Sequence, residues 1–241
     1  MDTPEIFGGA FFIMNGFGLQ KLTLLDYPGK IACTVFTFGC NLRCPFCHNA
    51  SLVLGTGTGL TEAEIFKFLQ RRRGVLDGVC VSGGEPLLQP DSLEFLQKIK
   101  ALGYRIKLDT NGSFPGRLKI AVSSGLVDYV AMDIKSAPEY YAAAVGIPSF
   151  DSAPVGESIA FLLTGAVDCE FRTTVVCGLH TAEILRDTAR SIMGAKRYYL
   201  QKFVDSGDLL GENLSAFSDA DMEGFLAAVA PYVETARLRG V

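Results

Sequence analysis

Apolar, β-rich runs alternate with segments of helical period along this chain, and that alternation narrows the available folds more than any other feature. The runs Ile31–Phe38, Gly78–Ser82, Arg105–Asp109, Val127–Asp133, Cys169–Val176 and Arg197–Phe203 predict strands. Helices are predicted near Thr61–Arg73, Ser92–Leu102, Pro115–Ser124, Pro154–Gly165, Ala182–Met193 and Asp219–Val229. Thr61 with Glu64 three residues later reads as a capping box. Near-continuous apolar strands separated by helices imply a buried parallel sheet wrapped by helices. The expectation is an α/β fold, an open, partial (β/α)6 TIM-like barrel.

At 241 residues with 49% hydrophobic and 20% charged side chains, the chain can form one large domain with ample core. Nothing in it reads as a linker, so residues 18–241 are expected to be a single domain behind an N-terminal extension, residues 1–17. Met14 is an alternative natural start. A net charge of −4 argues against nucleic acid as a partner, because phosphate binding wants a basic stripe. The Arg71-Arg72-Arg73 run reads as a solvated helix end. The apolar stretch Ile6–Met14 is too short to span a bilayer, so no membrane partner is expected. Seven cysteines without an export signal suggest a reducing compartment, with the cytoplasm expected.

Three of those cysteines, Cys40, Cys44 and Cys47, lie in the C-x3-C-x2-C loop Gly39-Cys40-Asn41-Leu42-Arg43-Cys44-Pro45-Phe46-Cys47-His48-Asn49. Thiolates at this density select iron–sulfur clusters, zinc or copper(I) over hard cations. A cubane with three cysteine ligands leaves one iron free for a substrate. A structural zinc site with His48 as fourth ligand is the alternative. Cys33, Cys80 and Cys169 fall in predicted strands and read as core thiols, whereas Cys177 sits beyond a strand end.

Four further segments fall at predicted strand ends, where ligand-binding groups collect in parallel α/β folds. Val81-Ser82-Gly83-Gly84-Glu85-Pro86 offers two glycines that let a ligand approach the backbone, with Glu85 as an anionic acceptor. Leu108-Asp109-Thr110-Asn111-Gly112 and Met132-Asp133-Ile134-Lys135 end the next two strands. Arg172, in Arg172-Thr173-Thr174-Val175-Val176, is able to pair with a carboxylate through both nitrogens. The short Gly55–Gly59 run lacks the lysine of a phosphate loop and reads as a plain loop. His180 reads as a loop residue next to a helix cap.

The cysteine loop, with aromatic Phe46 ahead of the third cysteine, resembles the signature of the radical S-adenosylmethionine (SAM) superfamily. That resemblance implies a [4Fe–4S] cluster on Cys40, Cys44 and Cys47, with SAM chelating the fourth iron and Phe46 and His48 beside the cofactors. It assigns Gly83, Gly84 and Glu85 to the SAM amino group. Asp109-Thr110-Asn111-Gly112, Asp133-Ile134-Lys135 and Arg172 resemble the glycyl-radical-enzyme activases, in which matching segments line the SAM site. By that match Asp109, Thr110 and Asp133 lie near the methionine carboxylate, through a monovalent cation, with Asn111 and Lys135 beside them. The lead-in Gln20–Lys30 resembles activators of anaerobic ribonucleoside-triphosphate reductases, and matches run from about Gly18 to Phe203.

The implied reaction is reductive cleavage of SAM to methionine and a 5′-deoxyadenosyl radical, with the electron coming from flavodoxin or ferredoxin. The radical takes a hydrogen atom from a glycine of a partner glycyl-radical enzyme, an anaerobic ribonucleotide reductase on the lead-in match. The alternatives are a radical SAM enzyme acting on a small molecule such as a deazapurine precursor, or on another glycyl-radical enzyme, and a non-enzymatic zinc module. No inserted ferredoxin-like cysteine motifs follow the first loop, so one cluster is expected. Leu200-Gln201-Lys202-Phe203 departs from the family's pattern, with Gln201 or Lys202 standing where a polar ligand-facing residue is common.

Overall fold

The computed structural model describes residues 16–55 and 58–241. The expected extension and the start at Met14 therefore lie outside the described residues, except for Gly16 and Phe17. Phe17 belongs to the core: it is 2% exposed and stacks on Phe95 with ring centroids 4.8 Å apart. Burying a side chain of this size is worth about 1.5–3 kcal/mol, enough to tie the chain's entry to the barrel wall.

Eight strands form one sheet in strict chain order, β1 (Phe17–Thr23), β2 (Ala32–Thr37), β3 (Gly78–Gly83), β4 (Arg105–Thr110), β5 (Tyr129–Asp133), β6 (Asp168–Val175), β7 (Tyr198–Lys202) and β8 (Ala236–Arg239). β1 runs antiparallel to β2, and every later neighbour is parallel. Among the described residues no pairing joins β8 to β1, so the barrel is open. Strands β2 to β7 are the six read from the sequence. The partial barrel expected from them is the fold observed, extended by one strand at each edge. Those edge strands escaped because β1 alternates apolar and polar residues only weakly and β8 has four residues, two of them arginine.

The outer layer is α1 (Ala50–Leu54), α2 (Glu62–Arg71), α3 (Ser92–Ala101), α4 (Pro115–Ser123), α5 (Tyr141–Ala144), α6 (Ala153–Leu163), α7 (Ala182–Ser191) and α8 (Asp219–Val229). α1 and α5 are too short to show a helical period in sequence. The capping box at α2 is formed: Glu64 N–H donates to Thr61 Oγ1 at 3.3 Å, and Thr61 N–H donates to Glu64 Oε2 at 2.8 Å. Gly55 takes the left-handed C-cap of α1, while Thr56 and Gly57 lie outside the described residues.

Below the cavity the barrel is filled by polar groups that satisfy one another. Arg239 donates to both oxygens of buried Glu170, at 2.8 and 3.0 Å, and the Tyr129 hydroxyl donates to the same carboxylate at 2.9 Å. Tyr27 of the lead-in is 4% exposed, its ring 6.1 Å from Tyr129, and Asp26 accepts from the Thr34 hydroxyl at 2.6 Å. The lead-in thus closes the end of the barrel opposite the strand termini, a structural role. Among the described residues no helix is long and apolar enough to cross a membrane.

Candidate active site

A cavity of about 220 Å³ opens at the carboxyl ends of the parallel strands. Every residue that the resemblance assigns to the cofactors lines it except Glu85: the three cysteines, Phe46 and His48 on one side, Gly83 and Gly84 beside them, and Asp109, Thr110, Asn111, Asp133, Lys135 and Arg172 across the floor. Parallel register explains the convergence. Successive strands end level with one another, so Asp133 pairs with Arg172 and Thr174 with Gln201, and side chains two apart share the inward face.

The cysteine loop leaves β2 and has no regular structure until α1. Its start is held by Glu85 N–H donating to Gly39 C=O at 2.9 Å and by Arg43 N–H donating to Val145 C=O at 2.9 Å. Cys40 Sγ accepts from Leu42 N–H at 3.4 Å and lies 3.8 Å from Asn111 Nδ2. Burial pushes the Cys40 thiol up to about 12 and Cys44 to about 11. Among the described residues no three His, Cys, Asp or Glu side chains close around one point as a single ion requires. Tetrahedral zinc would hold its sulfurs about 3.8 Å apart, whereas a cluster takes its cysteines at separate irons.

The two glycines of Gly83-Gly84 also serve a packing purpose that sequence reading left out. Gly83 has φ +120°, and a Cβ there would lie 2.3 Å from Thr37 O; one on Gly84 would lie 2.0 Å from Gly39 O. The missing side chains let this turn press against the backbone leading into Cys40, and both glycines also border the cavity. Glu85 likewise has a packing role. It is fully buried, and its carboxylate accepts from Leu87 N–H at 3.0 Å, Thr110 Oγ1 at 2.8 Å and Asn111 N–H at 2.7 Å. Burial raises it to about 7 against those donors. Its oxygens face the next strand end rather than lining the cavity, accepting from the Thr110 hydroxyl and the Asn111 N–H there.

The floor is a chain of alternating charges. Arg172 Nε donates to Asp133 Oδ1 at 2.8 Å and Nη1 to Asp109 Oδ2 at 3.3 Å. Lys135 reaches Asp133 Oδ2 at 3.3 Å, and Lys107, which is 1% exposed, contacts Asp109 from beneath. Burial alone would raise the Asp133 carboxyl, but the charges of Arg172 and then Lys135 outweigh it and hold it well below the ordinary range. Asp109 follows the same balance, with burial opposed by Arg172 and Lys107. The set of Lys107, Arg172 and Lys135 against Asp109 and Asp133 leaves one positive charge in excess.

Several lining residues were not anticipated. Ser82 and Thr174 share the inward face with Lys107's neighbours and with Arg172, a period-two signal present in the sequence. Gln201 faces the cavity whereas Lys202 turns out to pair with Asp219, which resolves the departure at that strand end. Phe36, Leu42 and Val53 add an apolar wall. Cys80, a core thiol as expected, sits beneath the floor 3.8 Å from Lys107 Nζ, while Cys169 is only half-buried. His180 is no loop residue in the ordinary sense. It is 2% exposed, its Nδ1 accepts from Val176 N–H at 3.1 Å, and its Nε2 is 2.9 Å from Lys135 C=O.

The profile of the Radical SAM superfamily matches residues 34–153, from β2 through the start of α6. A Methanocaldococcus jannaschii protein, assigned by its name to the glycyl-radical enzyme activating enzymes, is 32% identical over 191 residues, covering 77% of this chain and 78% of its own. The pyruvate formate-lyase-activating enzyme of Clostridium pasteurianum is 37% identical over 123 residues, 48% of this chain and 50% of its own. The crystal structure of a domain of the pyruvate-formate lyase-activating enzyme of Bacteroides vulgatus superposes with a TM-score of 0.55 at 15% identity, covering 68% of this chain and 99% of the other, which speaks to the fold alone. With a strand-end cavity of this composition and a relative alike over most of both chains, the protein belongs to the radical SAM superfamily, whose enzymes use a [4Fe–4S] cluster and SAM.

Proposed function

We propose that this chain is an activating enzyme that installs a glycyl radical on a partner protein, with an anaerobic ribonucleoside-triphosphate reductase as the partner. The observation that carries the reading is the convergence of Cys40, Cys44 and Cys47 with the charged floor on one cavity. The names of the relatives support the class of partner, and the lead-in Gln20–Lys30 supports the particular one. The whole of residues 18–241 acts as one domain on this reading.

The residues fit the cofactors by their chemistry. Cys40, Cys44 and Cys47 would hold the cluster, and the Leu42 and Asn111 N–H groups near Cys40 would favour its thiolate form. When bound, cluster and SAM together supply a carbon radical able to abstract a hydrogen atom. The zwitterionic end of SAM suits the floor: its ammonium would find Asp109 and the backbone at Gly83 and Gly84, and its carboxylate would match the one positive charge in excess among Lys107, Lys135 and Arg172. Phe36, Leu42, Phe46 and Val53 keep water from the remainder of the cavity. Thr174 and Gln201 offer neutral hydrogen-bonding groups to whatever enters from the mouth.

The test begins with anaerobic reconstitution with iron and sulfide, addition of dithionite and SAM, and quantification of 5′-deoxyadenosine in wild type and Cys44→Ala. Product in the wild type and none in the variant is expected; equal product would sink the ligand assignment. Adding the candidate reductase then gives a glycyl radical signal by electron paramagnetic resonance. Its absence, with SAM cleavage intact, redirects the proposal to a different glycyl-radical enzyme or a small molecule. Flavodoxin or ferredoxin, in place of dithionite, is expected to support the same reaction.

A further inference from the structure

We infer that residues 204–217, the segment after β7, form a strap that sets the conformation of the second half of the cysteine loop, with Asp208 and Gly211 as positioning residues. The inference rests on the reading of that loop as the cluster-binding loop.

The starting point is a helix that lacks its own cap. α1 begins directly after Cys47-His48-Asn49, and Asn49, at the N-cap, makes no side-chain cap hydrogen bond. The first N–H groups of a helix need acceptors. Here Asp208 supplies them from a distant part of the chain. Ala50 N–H donates to Asp208 C=O at 3.1 Å, Ser51 N–H donates to Asp208 Oδ2 at 3.2 Å, and the Ser51 hydroxyl donates to the same oxygen at 2.7 Å. One residue thus holds the end of the loop through its backbone and its side chain together.

Two further contacts extend the strap along the loop. The Ser206 hydroxyl donates to His48 C=O at 3.1 Å, and Gly211 N–H donates to Pro45 C=O at 2.8 Å. At Gly211 the chains are so close that a Cβ would lie 2.6 Å from Pro45 Cβ. These contacts fall on Pro45, His48, Ala50 and Ser51, on both sides of Cys47, and among the described residues no hydrogen bond from the strap reaches a cysteine sulfur. The first half of the loop has separate anchors at Gly39 and Arg43. The strap therefore acts through loop geometry: it holds Pro45 to Ser51 so that Cys47 meets iron without first ordering the chain.

The test uses the full chain, reconstituted anaerobically with iron and sulfide and freed of excess, and follows iron release to a ferrous chelator. Asp208→Ala, Asp208→Asn and Gly211→Val are compared with wild type and with Asp187→Ala, which removes only a surface partner of Arg190. The melting temperature of each apo-protein is measured in parallel. Asp208→Ala and Gly211→Val are expected to release iron about tenfold faster, the low end for groups that orient metal ligands. Asp208→Asn, which keeps a side-chain oxygen as acceptor, falls between them and wild type, and Asp187→Ala matches wild type. For Asp208→Ala the apo-protein is expected to melt about 2–4 °C below wild type, the shift that loss of one helix cap produces. Wild-type release rates in Asp208→Ala overturn the inference whatever Gly211→Val does, and so does faster release in that variant with a melting temperature lowered by more than the loss of one cap explains. A wild-type chain that takes up no iron and sulfide overturns the cluster reading beneath it instead.

Discussion

Arg172 Nε lies 2.8 Å from Asp133 Oδ1 across the β5–β6 register pair, and the other arm of the same guanidinium reaches Asp109 on β4. One cation therefore fastens three consecutive strand ends. Breaking a buried pair by removing one partner costs about 3–5 kcal/mol, because the remaining charges lose their compensation. Arg172→Met is expected to lower unfolding free energy by about 3 kcal/mol and 5′-deoxyadenosine formation by about a hundredfold. Arg172→Lys is expected to restore little, since an ammonium lacks the fork that spans two carboxylates. Denaturant unfolding and product assays on both variants check this, and near-wild-type turnover in Arg172→Met would refute it.

Lys107 and Asp109 are two apart on one strand, both facing inward, with the lysine 1% exposed. Lys107→Met leaves Asp109 with Arg172, the Ser82 hydroxyl and the Cys80 thiol, and is expected to cost about 3 kcal/mol. Adding Asp109→Asn removes the charge that Lys107 balanced, so the double variant is expected to recover at least about 1 kcal/mol. A double-mutant cycle by urea unfolding reads this directly. Strict additivity would show that the two do not compensate one another.

Gly84 is where the Gly-Gly turn and the cysteine loop touch. A Cβ at this position meets Gly39 O at 2.0 Å and Gly39 C at 2.6 Å, backbone atoms that have little room to yield. Gly84→Ala is expected to cost about 3 kcal/mol, the upper range for overpacking, and to weaken iron retention because the start of the cysteine loop shifts. Thermal unfolding with iron analysis of the reconstituted protein tests both. A stable, iron-replete variant would mean that the turn accommodates a side chain.

His180 gives a pH dependence of known sign. Burial holds its imidazole below the ordinary value, against the opposing effect of its bonds at Lys135 and Val176. As pH falls below about 6.5 the unfolded chain takes the proton first, so the stability that neutral His180 contributes is present above that pH and lost below it. His180→Leu is expected to cost about 2 kcal/mol at pH 8, by leaving the Val176 N–H and Lys135 C=O unpaired. The gap between wild type and variant should narrow as pH drops toward 5. His48 is present in both chains and Glu85, which titrates in the same window with opposite sign, cancels in the comparison. Urea unfolding at several pH values measures it; a constant gap would remove His180 from the titration.

The six central strands, six of the helices and the charged and cysteine part of the cavity lining were legible in sequence because each depends on local pattern. Apolar runs fix strands, helical periods fix helices, and a parallel sheet brings strand termini to one face whatever the details. That is why the sequence pattern brings Cys40, Asp109, Asp133 and Arg172, up to 132 positions apart in numbering, to one mouth. What the sequence left open were relationships between segments far apart in the chain. The close approach of Gly84 to Gly39, the capture of Glu85 by the Thr110–Asn111 end, the insertion of Lys107 under Asp109 and the cap that Asp208 places on α1 all depend on which backbone lies within a few ångströms of which. Local propensity carries no information about such contacts. Sequence alone determined the type of fold and the chemistry of the donor set; the tertiary structure decided which of those groups face the cavity and which are spent holding it in shape, because every buried polar atom must find a partner and only packing says where that partner is.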